Sequence, residues 1–360
     1  MHISLFVDSL YNSAGIERMT VLLANSLNRK GHRVEIILCS SSKESYYLLD
    51  SDVIISSLYN DFSNYIACQK KLYKHIKHNR PDLLINVAIH MGFISIPVLK
   101  ILHVPIISWE HFHLKAGNWK GYLFRLISAV FSDATVVLTK KDRGLYPKFL
   151  QHNIHVIYNY SALYNDKKYV REKIILSIGR LSAQKRFDKL IEIWASIQDK
   201  INGWKLIIVG GGELESELCD KIKFLNLSDS ISIIPPRKDV ETLYKMSSIY
   251  AMTSDYEGLP LVLIEAKQFG LPSISYNCPN GPDEIIEDNV DGFIVSNNNY
   301  KEFERKLLLM MDNPRLLETF GAKAEFNFNE KFSENVIISN WETLFNKICN
   351  KYDSNRSLQH

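Results

Sequence analysis

Short apolar runs recur along the chain, separated by longer stretches in which apolar residues return at every third or fourth position. The runs predict strands over 2–7, 34–39, 53–56, 83–87, 106–109, 134–138 and 156–158. A second series is predicted over 174–178, 204–209, 231–234, 249–252, 273–276 and 292–295. Between them, Ile16, Met19, Leu22, Leu23 and Leu27 have helical spacing over 16–30, and Gly31 ends that helix. Further helices are expected over 61–79, 92–102, 119–131, from about 187 to 201, 213–224, 239–246, from Pro260 onward, and through most of 300–350. Strand alternating with helix predicts parallel sheets covered on both faces, a doubly wound α/β architecture.

The alternation restarts at Ile174, and 360 residues are ample for two such domains. The polar stretch 160–172, with Asn165, Asp166, Lys167 and Lys168, reads as the linker. The expected division is 1–163, 164–335, and a C-terminal helix over 336–360 crossing back to the first domain. From Ser354 the tail is polar and expected to be loose.

The most apolar region, 83–109, is interrupted by Asn86, His90, Pro97, Lys100, His103 and Pro105, so it reads as strand, helix and strand rather than a membrane span. The N-terminus lacks the basic start of a signal peptide, and Asp8 closes its apolar run. Five cysteines, scattered and never in a C-x-x-C pair, fit a reducing cytoplasm and argue against a disulfide framework or zinc site.

Charge divides the chain. Residues 1–163 carry 18 Lys/Arg against 11 Asp/Glu, and 164–360 carry 25 against 29. The basic stretch 61–79 and the amphipathic stretch 119–131, with Lys120 and Arg125 among aromatic residues, are expected to attract an anionic membrane surface. No basic–aromatic pattern of a nucleic-acid module occurs.

Candidate chemistry concentrates in the second half. Glu257 and Glu265 flank a turn at Gly258 and a helix start at Pro260, where free N–H groups and the positive dipole end suit a phosphate. Arg180 and Lys185 follow the strand 174–178 and can offer a diphosphate one forked and one point cation. Gly179, and Gly210 with Gly211 and Gly212, follow strands where backbone can approach a ligand closely. Asn280-Gly281-Pro282-Asp283-Glu284 is a further turn at a strand end.

In this order, Gly179-Arg180-Leu181-x3-Lys185, the glycine triplet, Glu257-x7-Glu265, Gly281-Pro282-x-Glu284 and Asp291-Gly292-Phe293 resemble the retaining glycosyltransferases of family 4, with the GT-B fold. The resemblance spans the chain and is strongest over 174–296. It implies two Rossmann-like domains facing across a cleft, the second binding a nucleotide sugar. Arg180 and Lys185 would neutralise the leaving diphosphate. Glu265 would hold the ribose, and Glu257 would contact the donor sugar near the reacting carbon. Gly258 and Leu259 would present backbone N–H groups. In the first half, Gly15 would close over the diphosphate, with Ala14 replacing the first glycine of the common form, and His111 would touch donor sugar or acceptor, His113 being its competitor. Arg237 would lie beside the base.

No cofactor or metal is expected, because fixed cations can take the leaving-group charge. The implied activity is transfer of a hexose or N-acetylhexosamine to a lipid-linked saccharide in surface polysaccharide (O-antigen or capsule) synthesis, at the inner face of the plasma membrane. The Leu259–Leu263 stretch and the Cys278–Pro282 loop lean the donor toward a uridine nucleotide. Glu257 either positions the sugar or acts as a nucleophile. A nucleotide-sugar epimerase of the same fold and a non-catalytic nucleotide-sugar-binding module are the alternatives.

Overall fold

The computed structural model describes residues 1–360 except 13–14, 41–43, 59–63, 238 and 358–360. The chain divides into two compact units, Met1–Asn159 with Glu334–His360, and Tyr160–Ser333.

The first unit runs β1 (His2–Val7), α1 (Gly15–Arg29), β2 (Arg33–Leu38), β3 (Ile54–Ser57), α2 (Tyr65–Asn79), β4 (Leu83–Val87), α3 (Ile89–Leu102), β5 (Ile106–Trp109), α4 (Trp119–Phe131), β6 (Ala134–Val137), α5 (Lys140–Leu145) and β7 (Ile154–Val156). Its strands pair in parallel in the order β3-β2-β1-β4-β5-β6-β7. Central strands such as β4 are buried along their whole length, as parallel strands covered on both faces require.

The second unit runs β8 (Ile174–Ile178), α6 (Phe187–Ser196), β9 (Lys205–Val209), α7 (Glu215–Phe224), β10 (Ile231–Ile234), α8 (Val240–Met246), β11 (Ile249–Met252), α9 (Leu261–Gln268), β12 (Ser273–Tyr276), α10 (Pro282–Ile285), β13 (Gly292–Val295), α11 (Tyr300–Met311) and α12 (Pro314–Lys331). Its parallel order is β10-β9-β8-β11-β12-β13. The chain then returns to the first unit as α13 (Glu334–Ser357). There Trp341 meets Trp109 edge-on with centroids 5.3 Å apart, Glu334 accepts from Ser26 at 2.6 Å, and Tyr352 donates to Asp133 at 2.9 Å.

Local differences from expectation have local causes. The basic helix begins at Tyr65, where Asn64 caps it by accepting from the Ala67 N–H at 3.0 Å; residues 61–63 lie outside the described chain. Helix α3 starts three residues earlier than expected and runs through Pro97. Proline has no N–H for the Phe93 carbonyl one turn back, and the Gln69 side chain of α2 supplies that donor at 3.0 Å. The last strand of the first sheet lies two residues earlier than expected. Helix α6 ends at Ser196 instead of 201 and gives way to a 3-10 turn. The tail expected to be loose from Ser354 is helical to Ser357.

The polar stretch 160–172 is not a free linker. Asn165 donates to the Gln268 carbonyl and Gln268 to the Leu163 carbonyl, each at 2.8 Å. Arg171 donates to the carbonyls of Tyr244, Ser247 and Phe269. This guanidinium satisfies backbone acceptors at the ends of α8 and α9, which fastens the segment to the second unit.

Candidate active site

Strand order in the second sheet reverses between β8 and β11, so the loops leaving their C-terminal ends part around a crevice, the usual ligand position in open α/β sheets. The loop after β8 carries Gly179, Arg180 and Lys185; the loop after β11 carries Glu257, Gly258 and Leu259. Several bonds stitch them together. The Asp255 N–H donates to the Gln184 carbonyl at 2.9 Å, Gln184 Nε2 to the Tyr256 carbonyl at 2.8 Å, and Thr253 Oγ1 to the Arg186 carbonyl at 3.0 Å. Asp255 also accepts from Arg186 at 3.0 Å and Lys189 at 2.8 Å. Burial raises the proton affinity of Asp255, but these two donors outweigh it and hold the carboxyl below its ordinary value.

Lys185 Nζ donates to Glu257 Oε1 at 2.7 Å. Both side chains are largely withdrawn from water, 19% exposed for the lysine and 8% for the glutamate. A charge-assisted bond this short, held by two loops that are themselves cross-linked, places both heads without further rearrangement. A third loop presses on them. At Gly281, with φ +101°, a Cβ would lie 2.7 Å from the Gly258 carbonyl oxygen and 2.5 Å from Pro260, so only glycine fits there. Cys278 in that loop has its thiol pushed up to about 12, chiefly by burial and further by the Glu257 charge.

Two glycines of the triplet have a packing role. A Cβ on Gly210 would lie 1.9 Å from the Gly179 carbonyl oxygen, and one on Gly212 would lie 2.4 Å from that of Leu181. These glycines let the loop after β9 pack on the backbone of the loop after β8. Arg180 is not brought to the Lys185–Glu257 pair. Its side chain is 75% exposed and pairs with Glu213 at 3.2 Å. Arg237 follows the edge strand β10, two strands from β8, and is exposed and paired with Asp239.

Pro260 caps α9 instead of occupying its first turn, with an extended ψ of 103°. Glu265, one turn into this helix, is buried, and its Oε2 accepts from Tyr244 of α8 at 2.7 Å. The Tyr244 ring stacks on Phe269 at 5.4 Å. The far end of α9 is held by the buried Lys267–Asp291 ion pair, with Asn327 of α12 donating to Asp291 at 2.6 Å.

In the first unit, β5 ends at Trp109 and delivers Glu110 and His111. The His111 ring lies 4.4 Å from that of Trp109, and among the described residues its Nε2 has no hydrogen-bond partner. Burial pushes its pKa down to about 3, so it is a neutral imidazole at physiological pH. His113 is half-buried, and its Nδ1 accepts from the Lys115 N–H at 3.2 Å. Arg125 was expected on the outer face of an amphipathic helix; it is buried, 3.6 Å from Glu110, and donates to the Ala116 carbonyl at 2.8 Å. It therefore clamps the loop that carries His111. Burial raises the Glu110 pKa to about 7, opposed by Arg125. Gly15 opens α1, and nothing described lies within 4 Å of a Cβ built there. Ala14 lies outside the described residues.

An Asp-x-Asp triplet, a form that can anchor a metal, occurs at Asp50-Ser51-Asp52 in the first unit. Asp50 is engaged by Arg29 at 3.4 Å and by Asn25, which accepts from its N–H at 3.0 Å. Among the described residues no group of three or more His, Cys, Asp or Glu could hold a metal ion.

The sequence matches two family models, "Glycosyltransferase Family 4" over residues 13–160 and "Glycosyl transferases group 1" over 165–326. It is 31% identical to the amylovoran biosynthesis glycosyltransferase AmsD of Erwinia amylovora, over 95% of this chain and 99% of that protein. It is 30% identical to an alpha-1,4-N-acetyl-D-galactosaminyltransferase of Campylobacter jejuni that acts on a diphospho-undecaprenol-linked saccharide, over 96% and 98% of the two chains. The chain belongs to glycosyltransferase family 4. Its fold is GT-B: the crystal structure of a mutant of S. aureus TarM in complex with fondaparinux, alpha-GlcNAc-glycerol and UDP superposes with a TM-score of 0.81 at 17% identity, covering 96% of this chain and 99% of that one.

Within this glycosyltransferase the crevice at the β8–β11 switch point offers one ammonium and one carboxylate, both partly withdrawn from water, and a helix start. Sequence reasoning missed the residues that fix them. Gln184 and Asp255 lie inside or beside the motifs, yet their bonds run between loops about 70 residues apart. Tyr244 sits in an ordinary amphipathic helix, where nothing in its spacing distinguishes it from a core residue.

Proposed function

We propose that this glycosyltransferase moves a hexose or N-acetylhexosamine from a UDP-sugar to a lipid-linked saccharide in bacterial surface polysaccharide synthesis, at the cytoplasmic face of the membrane and with retention at the anomeric carbon. The observation that carries it is the Lys185–Glu257 contact at the switch point. The names of the similar proteins support the rest: one makes amylovoran, one extends a diphospho-undecaprenol-linked saccharide, and TarM binds UDP.

In this reading the bond from the anomeric carbon to the diphosphate oxygen breaks and its electron pair leaves with the diphosphate. Lys185, assisted by the N–H groups at the start of α9, faces the charge as it develops. Arg180 joins by exchanging Glu213 for phosphate, a small change for an exposed ion pair. The acceptor hydroxyl forms its new bond to the same carbon from the leaving-group face, and its proton passes to the departing phosphate oxygen. Glu257, bound to Lys185, accepts hydrogen bonds from the sugar hydroxyls. Glu265 and Tyr244 hold the ribose side of the donor. The fixed cations make a metal unnecessary.

A panel of UDP-hexoses and UDP-N-acetylhexosamines, incubated with a lipid-diphosphate saccharide, tests the reading by mass and linkage analysis. It predicts an acceptor heavier by one sugar, joined with the donor's anomeric configuration, at undiminished rate in EDTA. An inverted linkage contradicts retention, and a new sugar isomer formed without acceptor identifies an epimerase instead.

A further inference from the structure

Helix α6 opens against local preference. Lys189 lies in its first turn, where the helix dipole disfavours a cation. It is also 2% exposed, although lysine is seldom buried unless it is paired. Its neighbours Phe187, Leu190, Ile191 and Ile193 belong to the apolar core of the second unit. Arg186, just before the helix, has a φ of 50°, a left-handed conformation uncommon for a residue with a long side chain.

Both cations converge on one carboxylate. Asp255 Oδ1 accepts from Lys189 Nζ at 2.8 Å, and Asp255 Oδ2 accepts from Arg186 at 3.0 Å. Arg186 also donates to Asp188 in the first turn of α6 at 2.9 Å, which anchors the guanidinium at its own end. Lys189 donates in addition to Asn298, in the loop after β13. A single buried ammonium thus joins the start of α6 to the loops after β11 and β13. Asp255 stands two residues before Glu257, and Arg186 is the neighbour of Lys185. The cluster therefore grips both arms of the Lys185–Glu257 pair.

We propose that Lys189 is a positioning residue for sugar transfer: through Asp255 it sets the approach of Glu257 to Lys185, and through Asn298 it ties the loop after β13 to them. The inference rests on the reading of that pair as the centre of the transfer. Rate is sensitive to such placement, since a displacement of about 1 Å caused from outside the chemistry can cost on the order of a hundredfold. Stability is not, because a buried ion pair contributes little to it beyond what an apolar side chain of similar volume supplies. Lys189 should therefore matter more to turnover than to folding.

Lys189→Met keeps the reach of the side chain and removes its charge. Asp255 is 35% exposed and retains Arg186, so no unpaired charge is left buried, and the variant should melt within a few degrees of the wild type. With a donor and acceptor that yield product, its kcat should fall at least about tenfold while the KM for the nucleotide sugar changes less than about twofold. Asp255→Asn, which keeps the size of its side chain, should show the same split, and the two changes together should cost little more than the worse one. In a Lys185→Ala background, where the pair is already broken, Lys189→Met should add less than about twofold. Wild-type kcat in Lys189→Met or in Asp255→Asn overturns the proposal, as does a further tenfold loss in the Lys185→Ala background. A rate lost only in step with a lowered melting temperature makes Lys189 a structural residue and overturns it too. Lys185→Ala turning over like the wild type instead contradicts the reading of the pair itself, and the proposal falls with it.

Discussion

Lys185 and Glu257 are 72 residues apart in the chain and 2.7 Å apart in space. Each is held by a loop that leaves a neighbouring strand, on either side of the point where strand order reverses. The pair is therefore a product of topology, and its two members depend on each other. With Lys185 changed to Ala, a nearly buried carboxylate loses its cation, and with Glu257 changed to Gln the lysine loses its charge partner. Each change is expected to lower kcat at least about a hundredfold. The double variant should lose little more than the worse single one, because the residues act as a unit. Steady-state rates of the four proteins check this, and multiplicative losses would show two independent contributions.

The glycine triplet predicts an uneven series. A Cβ at Gly211 meets only Pro236 at 3.5 Å, an ordinary contact, whereas a Cβ at Gly210 falls 1.9 Å from the Gly179 oxygen. Gly211→Ala should melt and turn over like the wild type. Gly210→Ala should cost at least about 2 kcal/mol and displace the loop carrying Lys185. Thermal unfolding of both variants is the check.

Tyr244→Phe removes the hydroxyl that donates to Glu265 while keeping the ring stacked on Phe269. Its melting temperature should change little. The KM for the nucleotide sugar should rise several-fold at nearly constant kcat, as expected when a contact made equally in ground and transition states is weakened. A fall in kcat at unchanged KM would place Glu265 in the chemical step instead.

Glu110 predicts a pH dependence of stability. Its folded pKa, about 7, is raised above an ordinary value of 4.5. Between those values the native state holds a proton that the unfolded chain has lost. Its contribution to stability is therefore fully present below about pH 4.5 and is lost as pH rises through about 7. Glu110→Gln cannot titrate, so its stability relative to wild type should be greater at pH 8 than at pH 5, by on the order of 3 kcal/mol. Urea unfolding at the two pH values measures the difference, and an equal gap at both would refute the raised pKa. His111, held neutral down to about pH 3, should contribute no limb near pH 6.5 to the rate profile.

Most strands and helices were legible because fully buried parallel strands leave continuous apolar runs, whereas one-sided helices leave a repeat of three to four residues. Helix α5 was not foreseen, since six residues are too few to show a period. The motif Glu257-x7-Glu265 was visible as spacing, but its partners were not. Arg180 and Lys185 look alike in sequence, yet one is exposed on Glu213 and the other is withdrawn onto Glu257. Arg125 read as an outward cation because Glu110, the group that draws it inward, lies beyond any helical repeat. The stretch 160–172 read as a linker because polar composition cannot reveal that Arg171 caps three carbonyls far along the chain.

The central claim is that the crevice holding Lys185 and Glu257 transfers a sugar from a nucleotide donor. The most direct measurement is release of nucleoside diphosphate together with the mass of the lipid-linked acceptor, for the wild type and Lys185→Ala side by side. The account predicts one added sugar per diphosphate released by the wild type, and a rate about a hundredfold lower in the variant with the same product. A variant that matches the wild type, or a wild type that adds no sugar from any donor in the panel, would contradict it.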